Sequence, residues 1–110
     1  MGRVAFKISG DAYRIINEGA VDAVTSTLFL FQRAQEVIRN AADIGNDVWT
    51  VDCTQQESAD IEDWFNTRAR VESNQPRPGA ALRILQLHNA AEAVRRGRRQ
   101  SAREWRGLNY

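Results

Sequence analysis

"DVWTVDCTQQESADIEDWF", residues 47–65, changes its period halfway. Up to Cys53 it repeats every two residues: Val48, Thr50 and Asp52 face one way, and Trp49, Val51 and Cys53 the other. Side chains alternate in this way across a strand, so the stretch predicts a strand over 47–53 with Cys53 on a buried face beside Val51. From Thr54 the repeat becomes helical. "TQQE" is a capping box in which Thr54 accepts from the backbone N–H of Glu57 and Glu57 reaches back to that of Thr54. Glu57, Asp60, Glu62 and Asp63 follow in the first turns, where the helix dipole favours carboxylates. Ile61, Trp64 and Phe65 form an apolar stripe, and the helix is expected over 55–71.

Toward the N-terminus, "RVAFKIS" (residues 3–9) alternates again, with Val4, Phe6 and Ile8 set against Arg3, Lys7 and Ser9. A second strand is expected there. Residues 12–17 fit two readings, the return strand of a Gly-first hairpin turn at Gly10–Asp11 or a helix starting at Asp11. From Ala20 apolar positions recur three or four apart, at Val21, Val24, Leu28 and Phe31 and on to Ala41. This spacing predicts a long helix over about 20–43 with Gly45 as its C-terminal cap. A strand at 25–31 with a shorter helix after it is the alternative.

Toward the C-terminus, "ESNQPRPGA" (72–80) is a linker, because Pro76 and Pro78 stop a helix from running through. A last helix over about 80–105 follows, on Ile84, Leu87, Ala91, Val94, Arg98, Ser101 and Trp105. Its seam turns polar after Val94, and Gly97 costs about 1 kcal/mol against alanine. Packing is therefore expected to about residue 94, with 95–110 an exposed or frayed end. The fold class is α+β: a small sheet of two to three strands, antiparallel or paired in parallel across the first helix, covered by about three helices. The 110 residues suit one compact domain.

Composition narrows the function. The single cysteine, Cys53, excludes an internal disulfide, and the longest strictly apolar run is Leu28–Phe31, against roughly 20 residues for a membrane helix. No targeting segment is visible, so a cytoplasmic protein without a membrane partner is expected. The net charge of +1 hides a split: residues 1–67 hold five basic and eleven acidic groups, and residues 68–110 hold ten arginines and three glutamates. "AVRRGRRQSAREWRG" (93–107) carries six of those arginines. Arg95, Arg99, Arg103 and Arg106 share one helical face, a spacing that suits phosphate tracking, with Trp105 placed to stack on a base. The competing reading is a solvated helix end in which Glu92 pairs with Arg96.

No catalytic constellation stands out. Cys53 before a helix N-terminus and the lone His88 have no supporting context. Glu57, Asp60 and Asp63 step along one helix but have no histidine or second acidic cluster beside them. No glycine run matches a phosphate loop, so no cofactor and no metal is implied. Val24, Leu28, Phe29 and Phe31 give the first long helix apolar residues on more than one side, which predicts burial against a second subunit. The sequence therefore reads as a non-enzymatic binding or assembly module, a homodimer acting through a protein partner or small ligand. A nucleic-acid accessory protein using the Arg-rich end is the alternative, and a small enzyme with a pocket between sheet and helices is the third reading.

Overall fold

The computed structural model describes residues 3–17, 32–74 and 78–108; the side chains of Gln32 and of 103–108 lie outside that set. In chain order the elements are β1 (Val4–Ser9), α1 (Gly10–Asn17), α2 (Gln32–Arg39), β2 (Ala42–Asp43), β3 (Val48–Cys53), α3 (Gln55–Asn74) and α4 (Ala80–Leu108). The sheet order is β1-β3-β2 and both pairings are antiparallel. The fold is α+β with a long C-terminal helix, as the alternating strands and capped helices predict.

Strand β3 is the centre of the sheet. Its register sets Cys53 against Val4, Val51 against Phe6 and Trp49 against Ile8, so one face collects the bulkiest apolar side chains of both strands. Val4, Phe6, Ile8, Val51 and Cys53 are buried there against Ile61, Trp64 and Phe65 of α3 and Leu87 and Val94 of α4. Full burial of each such side chain contributes about 1.5–3 kcal/mol. Trp64 meets Phe65 edge-on at 5.6 Å, and Trp49 stacks on Tyr13 of α1 at 3.8 Å. The opposite face carries Ala5, Lys7 and Asp52, all exposed, and the half-buried Thr50.

The predicted capping box forms. Thr54 Oγ1 accepts from the Glu57 N–H at 3.1 Å, and Glu57 Oε1 accepts from the Thr54 N–H at 2.9 Å. These bonds, with Arg33 2.8 Å away, hold the Glu57 carboxyl below its ordinary range although desolvation opposes them. Residues 12–17 resolve as helix. Ser9 caps α1 by accepting from the Ala12 N–H at 3.2 Å, and Ala12, Ile15 and Ile16 bury one face.

The first long helix ends earlier than its period suggests. Residues 18–31, and with them Val24, Leu28, Phe29 and Phe31, lie outside the described residues; α2 stops at Arg39, and Ala42–Asp43 pair with Thr50 and Trp49 as β2. Gly45 is therefore part of a hairpin and caps no helix. Asn46 and Asp47, at φ 57° and 59°, are the central residues of a turn closed by the Val48 N–H on the Gly45 carbonyl at 3.2 Å. Two successive positive φ angles define the mirror-image turn that matches strand twist. The turn is held from α1. The Gly10 N–H donates to the Asp47 carbonyl at 2.7 Å, and Arg14 grips both Asp47 carboxylate oxygens at 3.1 Å. Those guanidinium bonds lower the Asp47 pKa.

Helix α4 packs further along than its hydropathy suggests. Gly97 and Ser101 are buried, beyond the expected limit near residue 94. A Cβ at Gly97 would stand 2.7 Å from the Ala5 carbonyl oxygen, and Ser101 Oγ donates to the Arg3 carbonyl at 2.8 Å. Residues two apart on a strand aim their carbonyls the same way, so α4 lies against one side of β1, an edge strand of the sheet. Covering an edge with a helix also protects it from pairing with other chains.

Candidate functional site

Helix α4 at the edge of β1 stands as a wall beside the open face of the sheet. The angle between them holds a groove of about 510 Å³, within the usual range for small-molecule sites. The sheet side contributes Arg3, Ala5, Lys7, Thr50 and part of Phe6, and the helix contributes Ala93, Arg96, Gly97, Gln100 and Ser101. Two causes in the sequence build it. Period-two alternation turns Ala5 and Lys7 outward, and Gly97 lets the helix backbone approach β1. A second, smaller hollow of about 220 Å³ lies between α1 and α4 beside Ile15 and Leu82.

The charges around the larger groove are unevenly matched. Arg3 donates through Nε to Asp52 Oδ1 at 2.9 Å and through Nη2 to the Asp52 carbonyl at 3.2 Å. This hydrogen bond and charge raise the Arg3 pKa further. Arg96 uses Nε on Glu92 Oε1 at 3.4 Å. Lys7 makes no ion pair or hydrogen bond with its side chain among the described residues. No carboxylate lines the groove among the described residues.

The described arginines of the Arg-rich end are engaged with acids. Arg95 reaches Glu92 at 2.9 Å and Glu62 at 3.6 Å, Arg99 reaches Glu92 at 3.2 Å, and Arg98 pairs with Glu62. With Arg96, four guanidiniums share two carboxylates among the described side chains. Desolvation pushes the Glu92 carboxyl up, but Arg95, Arg96 and Arg99 outweigh it and hold the group below its ordinary range. The backbone of α4 carries Arg103, Trp105 and Arg106 to its last turns; their side chains lie outside the described residues. The Glu62 contacts show that the acidic and basic halves meet within one chain.

The candidates for chemistry come apart. Cys53 is fully buried and burial pushes its thiol up to about 11, the reverse of an activated nucleophile. His88 is exposed on α4. Glu57 is occupied by its cap and Arg33, and Asp60 accepts from Gln56 at 3.3 Å. No cluster of three potential metal ligands occurs among the described residues, and none of their helices is long and apolar enough to cross a membrane. The groove was not foreseen from the sequence, because its parts lie about ninety positions apart and Gly97 and Ser101 carry no hydropathy signal. Comparison with known protein families, curated proteins and solved structures returned no match.

Proposed function

We propose that the protein is a non-enzymatic binding module that takes a small ligand in the groove between the open sheet face and α4. The observation that carries this reading is Lys7, a cation without a partner among the described residues, projecting from the sheet into a groove of about 510 Å³. The inner sheet face is spent on the core, so the groove face is the one left for recognition. A crystallographic or NMR fragment screen tests this. Fragments that concentrate against Ala5, Lys7, Thr50 and Gly97 support it. Fragments that avoid the groove refute it. So does salt-sensitive RNA binding that is lost when Arg95, Arg99, Arg103 and Arg106 become alanine but kept in Lys7→Ala. That result would move the function to the end of α4.

Self-association is a second reading, favoured by Leu82 and Leu85. These leucines lie three residues apart on α4 and are 59% and 54% exposed, an apolar pair on one helical face of the kind that symmetric helix pairing uses. Sedimentation velocity of the protein and of a Leu82→Glu, Leu85→Glu variant tests it. A dimer that the variant dissociates supports the reading, and a monomer at high concentration removes it.

A further inference from the structure

We infer that the groove's ligand is an organic anion, a small molecule that carries one phosphate or carboxylate on an apolar body, with Lys7 gripping the charged head. The inference rests on the groove-binding reading above and adds the chemical class of the ligand. Three observations lead to it.

The first is the sign of the charge. Among the described residues, the ionisable groups lining the groove are Arg3, Lys7 and Arg96. Asp52 and Glu92, which pair with the two arginines, are not among the lining residues. Glu92 is itself shared among Arg95, Arg96 and Arg99, so it neutralises only part of the charge around it. An anion entering here meets cations on both walls.

The second is donor geometry. A guanidinium has five N–H donors. Arg96 engages its carboxylate through Nε alone, and Arg3 uses Nε and one bond from Nη2. Terminal N–H groups of both remain for an oxyanion, while the acids fix the orientation of the two side chains. Lys7 adds three donors on a flexible stem. Thr50, its cross-strand partner, adds a hydroxyl.

The third is size and lining. About 510 Å³ is far more than an inorganic ion fills, and the apolar part of the lining is Ala5, Phe6, Ala93 and Gly97. Cations beside an apolar lining match a ligand with a charged head and an apolar body.

The test is an amide NMR titration of the intact protein with phenyl phosphate, benzoate and the neutral benzyl alcohol, repeated on Lys7→Ala. At least one anion is expected to shift the amides of Ala5, Lys7, Thr50 and Gly97 saturably, and the tighter of the two identifies the head group. Lys7→Ala is expected to weaken that binding about tenfold or more, since it removes a charge-assisted hydrogen bond to the head group. The rest of its spectrum should superimpose, because Lys7 is exposed. Equal binding of benzyl alcohol, or unchanged affinity in Lys7→Ala, overturns the anion assignment and leaves the groove reading standing. Absence of shifts at these amides with all three probes overturns both.

Discussion

Arg68 and Arg96 present the same chemistry at the same spacing on neighbouring helices. Each pairs with a glutamate four residues away, Arg68 with Glu72 at 3.2 Å and Arg96 with Glu92 at 3.4 Å. Their surroundings differ completely. The Arg68 and Glu72 side chains are 5% and 3% exposed, whereas Arg96 is 73% exposed. Glu72 also takes Arg83 of α4 at 3.2 Å, tying the two helices across the linker. The buried pair is a structural joint, because removing one partner strands a charge in a low-dielectric interior. The exposed pair contributes little to stability and leaves its arginine largely available. An i,i+4 ion pair is visible in a sequence, but its burial, which decides whether it stabilises or recognises, is not.

The largest effect that can break this comparison is Glu72→Ala. It should destabilise by about 3–5 kcal/mol or prevent folding, measured by urea unfolding, while Glu92→Ala lowers the midpoint only slightly. Similar midpoints for the two variants would show that burial does not separate the pairs.

Gly97→Ala comes next. Alanine gains helix propensity of about 1 kcal/mol, but its Cβ would meet the Ala5 carbonyl at 2.7 Å, and backbone cannot swing aside. Overpacking of this kind costs about 1–3 kcal/mol, so net destabilisation is expected in the same assay. A gain in stability would mean that α4 does not lie against β1. Ser101→Ala should cost about 1 kcal/mol through the lost bond to the Arg3 carbonyl.

The smallest effect concerns pH. The carboxyl of Glu92 titrates below its ordinary range in the folded protein. Its contribution is therefore complete above the unfolded value of about 4.3 and is lost as pH falls through the lower folded value. A carbon-detected NMR titration should give a depressed midpoint, and Arg95→Ala should move it upward. Cys53 sharpens the buried side: with its thiol pushed to about 11, it should react with thiol reagents near pH 8 only after denaturant is added.

Local order was legible wherever one residue pattern had one physical meaning. The alternation at Val4, Phe6 and Ile8 and at Trp49, Val51 and Cys53 specified two strands and their inner face. Thr54 and Glu57 specified the start of α3. Legibility failed where non-local contacts decide. Ala12, Ile15 and Ile16 suit a helix or a hairpin strand until Ser9 caps the turn. Ala42 and Asp43 continue a helical period, yet pairing with β3 captures them. The candidate groove was the least legible part. It depends on Gly97 and Ser101, small residues that read as a break in the apolar seam but let α4 lie close against β1. The arginines drew attention by number, while the cation that distinguishes the groove is the chain's single lysine.

In the proposed reading the two sheet faces divide the labour, with stability from the inner face and recognition from the outer one. Melting temperature and phenyl phosphate or benzoate affinity, measured side by side on Lys7→Ala and the unchanged protein, test it most directly. An unchanged melting temperature with binding weakened tenfold or more is expected. Unchanged binding, or a lower melting temperature without loss of binding, would contradict it.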